Sequence, residues 1–311
     1  MQAVTDAVLP IFGLVLLGYL AGRRRLFGAS ATENLNDFVV WMALPALLFQ
    51  AMATVSARDL GHPGFLVAFW IGMLATFGLS IAIDRRPGHR LADRSIEALD
   101  AGYPNTGFMG IPLGLAVFGP ELLPACVLAS VLTAVGLFAF AIVLIEFDLN
   151  GEASFGRTSL KLLRSLARNP LVVSPLVGAC FAATGLTLPS PVLRFTTLLG
   201  AAASPCALVT IGLFLAQTEA VGDNRAVARL VGLKLLVQPG ITAVLVYGVF
   251  RMPANWAQAA VLLAALPTGT GPFMLAKLYN REAALTSRAI LVSTLISVLT
   301  ISLLVAWIKS T

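Results

Sequence analysis

The chain has 311 residues, 58% of them hydrophobic and 12% charged, with a net charge of +6 and a mean hydropathy of +0.89. A soluble domain keeps about a quarter of its residues charged to solvate its surface, so this composition excludes an ordinary water-soluble globule. The positive balance does not point to nucleic acid, because the basic residues sit in short connectors between apolar stretches.

The apolar stretches are close to the length a helix needs to cross roughly 30 Å of hydrocarbon, about 20 residues. In chain order they are Val4–Ala21, Leu35–Val55, Gly64–Ile83, Ile96–Phe118 and Leu122–Phe147. After a polar connector, Asp148–Arg168, come Pro170–Gly185, Val192–Gln217, Val227–Phe250, Trp256–Leu278 and Ala284–Ile308. The first is a span and not a cleavable signal, since Arg23, Arg24 and Arg25 follow it and no basic residue precedes it. Cys126, Cys180 and Cys206 lie inside apolar stretches without ligand or pairing spacing, so they read as small core residues. The fold class expected is an all-α polytopic membrane protein of ten transmembrane helices.

Ten alternating spans put sixteen of the 21 basic residues on one side, from Arg23 through Arg86, Arg164 and Arg229 to Arg288. Only Arg58, Arg194, Arg251 and Lys309 fall on the other, and Lys234 lies within a span. Basic connectors stay in the cytoplasm, which places both termini outside. A miscounted span would scatter these charges between the two sides.

The chain also matches itself at an offset of 160 residues: Pro45 against Pro205, and Pro112 against Pro272. Pro10 and Pro175 each have a glycine three residues on. Two halves of five spans are necessarily oppositely oriented, which is the inverted repeat of alternating-access carriers. The expected division is a first repeat over 1–147, a cytoplasmic connector over 148–168 and a second repeat over 169–311.

The fourth span holds Tyr103-Pro104-Asn105-Thr106-Gly107-Phe108-Met109-Gly110-Ile111-Pro112, and the ninth holds Leu266-Pro267-Thr268-Gly269-Thr270-Gly271-Pro272. Proline removes a backbone donor and glycine tolerates unwinding, so each span is expected to break near its middle. Freed backbone groups are tolerated in a membrane only where they are buried in protein or line a polar cavity. Asn105, Thr106, Thr268 and Thr270 then become solute-facing polar groups, with Pro104, Gly110, Pro267 and Gly271 shaping the breaks. Lys234 and Gln238 share the eighth span; the simpler expectation is that Lys234 snorkels to the cytoplasmic interface. Glu97, Asp100, Glu146 and Lys277 lie near cytoplasmic ends, where together they could form an ion-pair cluster coupled to protonation. Asp6, His62 and His89 read as solvated.

At these residues the chain resembles the auxin efflux carrier family, which includes plant auxin carriers and bacterial permeases for malonate and related acids. The resemblance spans essentially the whole chain and is most specific at Pro104-Asn105-Thr106, Met109-Gly110-Ile111-Pro112-Leu113, Ala265-Leu266-Pro267, Pro272-Phe273, Ala276-Lys277 and Tyr279-Asn280. It implies two inverted five-helix repeats whose broken helices four and nine cross at prolines. It also implies a scaffold and homodimer interface from helices one, two, six and seven, and a mobile domain from the other six. The activity implied is elevator-type transport of a carboxylate anion, in a bacterial inner membrane for a chain of this kind. By matching position, Asn105 contacts substrate, Pro112 and Pro272 mark the crossover, Leu44 lines the scaffold side, and Glu146 and Lys277 are candidates for ion or proton coupling; Lys234 joins them as an ionisable residue inside a span. The short connector and a third span without ionisable residues depart from the plant pattern, and the expected solute class is a malonate-like or auxin-like carboxylate.

No cofactor and no metal is expected, and the partners are a small organic anion, lipid and a second copy of the chain. An alternative is a cation-coupled symporter of the bile-acid type; a channel or receptor is a third reading. Enzyme chemistry finds no support, because both histidines lie in connectors and no nucleophile–base set converges in a span. No arginine lies in the broken spans, so the anion preference at this point rests on the resemblance.

Overall fold

The computed structural model describes residues 2–28, 30–54, 63–84, 86, 88–150, 164, 167–217 and 223–310. Most of the connector expected over 148–168, and His62 with it, lies outside the described residues.

The described chain is helical throughout, in segments numbered here as α1 (Gln2–Arg23), α2 (Ala31–Ala53), α3 (Pro63–Ile83), α4 (Leu91–Gly102), α5 (Thr106–Phe118), α6 (Pro120–Leu149), α7 (Pro170–Ala183), α8 (Ser190–Ala216), α9 (Asn224–Val249), α10 (Ala254–Ala264), α11 (Gly271–Leu278) and α12 (Ala284–Ser310). Seven of these, α1, α2, α3, α6, α8, α9 and α12, are long and apolar enough to cross a membrane. The ends fall within a few residues of the apolar stretches, and the fourth and ninth stretches are each split in two, into α4 with α5 and α10 with α11.

Leu9, Leu16 and Leu17 of α1, Leu198 of α8 and Leu299 of α12 are exposed. A surface of this kind is unfavourable in water and matched to lipid. Inside, α3 buries Phe65, Phe69, Met73 and Phe77, and Phe65 packs edge-on against Trp256 at 5.5 Å.

Packing falls into two groups. Helix α1 lies along α8, and α2 packs on α7 and α8; elsewhere α3 packs on α4 and α9, α4 on α6, and α9 on α10 and α12. The α1–α8 contact depends on absent side chains: a Cβ at Gly18 would sit 2.3 Å from the Val209 carbonyl oxygen, and one at Gly212 2.1 Å from that of Val15. Small residues allow such close approach where lipid supplies no hydrophobic drive between helices.

Three prolines inside helices are accommodated without a break. Wide π-turns over Val39–Ala43, Thr106–Gly110 and Leu233–Val237 end just before Leu44-Pro45, Ile111-Pro112 and Gln238-Pro239. Proline has no N–H and clashes with the carbonyl four residues back, so an extra residue in the preceding turn relieves both problems. Pro112 therefore bends a continuous helix, and the interruption of the span falls earlier, at Pro104.

Candidate functional site

Helix α4 stops at Gly102 because Pro104 disfavours helical backbone at Tyr103, which is extended at φ −102° and ψ 91°. Asn105 follows as the residue before α5. In the second half, α10 ends at Ala264 and α11 starts at Gly271, with Pro272 in its first turn. The two interruptions pass antiparallel, with Pro104 opposite Thr268. The Asn105 N–H donates to the Pro267 carbonyl at 2.9 Å, and the Gly269 N–H donates to the Tyr103 carbonyl at 3.0 Å. Backbone groups released by the breaks thus satisfy one another, as a membrane interior demands. A Cβ at Gly271 would meet the Tyr103 ring at 2.6 Å, so glycine lets the ring lie over the start of α11.

A cavity of about 720 Å³ opens at this crossing. Of the residues singled out in the sequence, Leu44, Pro104, Asn105, Thr106, Thr270 and Gly271 line it. Asn105 is 7% exposed, and its side-chain amide has no hydrogen-bond partner among the described residues, leaving donor and acceptor free for a solute. Gly110, Pro112, Pro267, Thr268 and Pro272 do not line the cavity. Pro267 contributes its carbonyl to the crossing, and Gly110 packs under Leu263 and Leu266. Thr268 is fully buried, its hydroxyl donating to the Asp100 carbonyl at 2.8 Å and its N–H to Ser293 Oγ at 3.2 Å.

Three helices begin at the cavity wall. Asn105 and Thr106 open α5, Thr270 and Gly271 open α11, and Asn169 and Pro170 open α7, where the Asn169 side chain accepts from the Leu171 N–H at 2.9 Å. Helix N-termini carry partial positive charge and free amides, so all three favour an anion. Arg164 and Arg168, both exposed, complete the lining on one side; Asp37 faces the same space, and Trp41, Tyr103 and Phe138 add an apolar wall. The two arginines, Asp37 and Tyr103 escaped sequence reasoning. Only the pairing of Asn169 as a cap with Pro170 at the first helical position signalled a helix start there.

The candidate coupling residues have different partners. Glu146 accepts from the Tyr279 hydroxyl at 2.8 Å. Lys277 is exposed, with its ammonium 5.6 Å from the centre of the Phe273 ring. Lys234 does not snorkel: it is fully buried, and its Nζ donates to the Ala264 carbonyl at 2.7 Å. Its stem is surrounded by packed helices, and the carbonyl end of α10 supplies the partner that water would otherwise provide.

Asp100 does not join an ion-pair cluster among the described residues; it is fully buried and accepts from the Thr286 hydroxyl at 3.0 Å. Nor is His89 merely solvated, because its Nδ1 lies 2.9 Å from Asp84. Around it, Arg86 bonds to both Asp84 and Glu97, and Arg229 lies 3.8 Å from Asp84 and 3.5 Å from Glu97. The Arg86 guanidinium, with His89, holds the Asp84 carboxyl well below the usual carboxylate range. This ion-pair cluster ties the connector between α3 and α4 to α9, away from the cavity.

A family model described as membrane transport protein matches residues 3–305. A protein of Rhizobium meliloti named "Putative malonate transporter" is 30% identical over 317 residues, covering 100% of this chain and 97% of its own. The Arabidopsis thaliana auxin efflux carrier component 8 is 24% identical over 353 residues, covering 94% of each chain. An uncharacterized transporter of Escherichia coli is 26% identical over 280 residues, covering 88% of this chain and 87% of its own.

Proposed function

The chain belongs to the membrane transport protein family, that of the auxin efflux carriers, and from this premise we propose that it is a secondary carrier for a small carboxylate anion, of which malonate is the first to test. It is a transporter and not an enzyme. The observation that carries the anion preference is the cavity wall, to which three helix N-termini, Arg164, Arg168 and the amide of Asn105 all contribute. An N-terminus contributes about 0.3–1 kcal/mol to a nearby anion at an exposed site and more when partly buried. The arginines add a bidentate grip suited to a carboxylate. Arg164 and Arg168 stand where a doubly charged solute could place its second carboxylate.

In this reading the ten stretches are ten spans in two inverted repeats, and the two crossing breaks are the pseudo-symmetric centre. Helices α1, α2, α7 and α8 form the scaffold through which two copies pair, and the remaining eight segments move as an elevator past it. The two packing groups support this division. The cavity reaches the side of the molecule that bears Arg164 and Arg168. By the charge bias of the connectors that side is cytoplasmic, so the conformation is inward-facing and both termini lie outside. A bacterial inner membrane is the expected setting.

The test is counterflow of radiolabelled malonate in proteoliposomes, alongside a thermal-shift panel of mono- and dicarboxylates. Saturable exchange that weakens when Arg164 and Arg168 are both replaced by glutamine supports the proposal. Exchange of neutral or cationic solutes in preference to every carboxylate would overturn it.

A further inference from the structure

The side of the crossing away from the cavity carries a second polar arrangement. Helices α4 and α10 both end in the interior, at Gly102 and Ala264, and each leaves its last carbonyls without helical partners. Such an end carries a partial negative charge, and in broken-helix carriers unwound carbonyls of this kind are where cations bind. Here α9 reaches both ends from one face. Lys234 Nζ donates to the Ala264 carbonyl at 2.7 Å, and one turn on, Gln238 Nε2 donates to the Gly102 carbonyl at 3.2 Å. Lys234 and Gln238 are fully buried, and Lys234 forms no ion pair with any described carboxylate. The carbonyl end of α10 is thus its immediate counter-charge. Two acceptors on the residues around these ends, Gln238 Oε1 and Asp100 Oδ1, are buried with no hydrogen-bond partner. A buried carbonyl end with unpartnered oxygens on neighbouring residues suits a small cation, and the structure places the Lys234 ammonium on the Ala264 carbonyl.

We propose that Lys234 is a tethered cation: its ammonium takes the position an inorganic monovalent cation would hold at the carbonyl end of α10, so the carrier works without sodium at this site. Removing the side chain turns the position into an exchangeable cation site made by the Ala264 carbonyl and the Gln238 side-chain oxygen. The proposal concerns the cation and is independent of which solute the cavity takes.

The experiment measures the melting midpoint of the purified full chain in sodium, potassium, choline and methylammonium chloride at equal ionic strength, a readout that needs no solute. The wild-type midpoint is expected to be the same in all four salts. Lys234→Ala is expected to melt lower in choline and to regain about 2–4 °C, saturably, in sodium or methylammonium. Lys234→Arg keeps a charge and a donor and should need no added cation. Lys234→Met fills the space without a charge and should be low in every salt. A purely structural lysine gives an alanine variant equally low in all salts, and that result overturns the proposal. So does specific stabilisation of the wild type by sodium, which remains measurable even if Lys234→Ala does not fold.

Discussion

Asn105 is largely buried, yet it lines the cavity, and its side-chain amide bonds to no other described residue, so a solute there can use both its donor and its acceptor. Because it supports nothing else, Asn105→Ala is expected to leave the melting midpoint unchanged while weakening carboxylate affinity about tenfold, the loss of one hydrogen bond to a charged group. Counterflow at graded substrate concentrations measures it, and unaltered affinity would remove Asn105 from the site. Gly212 behaves in the opposite way, since a methyl group there meets the Val15 carbonyl at 2.1 Å. Gly212→Ala should force α1 and α8 apart at a cost of about 1–3 kcal/mol, seen as a lower melting midpoint with solute affinity retained in the folded fraction. Asn105 was legible in sequence because it sits between two prolines in a span. Arg164 and Arg168 were not, because they lie in a connector and only three-dimensional folding brings them to the cavity.

At the level of elements, two kinds of proline look alike in sequence. Pro104 ends a helix, whereas Pro112 sits in a continuous one behind a π-turn. What separates them is whether the preceding residues can widen into an extra-residue turn, a choice made by packing and not by spacing. Pro104→Ala is accordingly expected to lose most transport in proteoliposomes, and Pro112→Ala to keep most of it. Equal loss in both would put the crossing where the resemblance alone placed it. The cluster on the connector between α3 and α4 makes a separate expectation. Asp84 is held below its ordinary range chiefly by hydrogen bonding to Arg86, so its folded value lies under its unfolded one. Its stabilisation is therefore present above the ordinary carboxylate range and is lost as pH falls through that range towards the folded value. Melting midpoints measured from neutral pH down to pH 2.5 should decline in the wild type, mostly below pH 4. Arg86→Ala should start lower and decline less over the same interval.

For the whole molecule, the apolar stretches and charge bias were enough to locate the helices within a few residues, because bilayer thickness imposes a length that composition reveals directly. Orientation is testable on the same basis: a cysteine at Ser310 should react with an impermeant maleimide in intact cells, and one beside Arg25 only after permeabilisation. The reverse pattern would invert the topology. Less legible was how helices meet. The 160-residue offset related the two halves as sequences, but it carried no sign that their breaks exchange backbone hydrogen bonds, or that Lys234 would turn inward to the end of α10. Those contacts depend on the relative position of elements far apart in the chain.

The exchange of backbone bonds between the breaks has a consequence for how the protein is made. Tyr103 and Asn105 enter the membrane long before their partners at Pro267 and Gly269 exist. At ribosomal speeds of about 5–20 residues per second, the interval between them lasts roughly ten to thirty seconds. During it the first break sits in or beside lipid with a free amide and a free carbonyl. Either the fourth stretch waits outside the bilayer core until the ninth arrives, or the insertion machinery shelters it. A truncated chain ending before Trp256 is accordingly expected to remain a substrate for membrane quality control, however well its first helices insert.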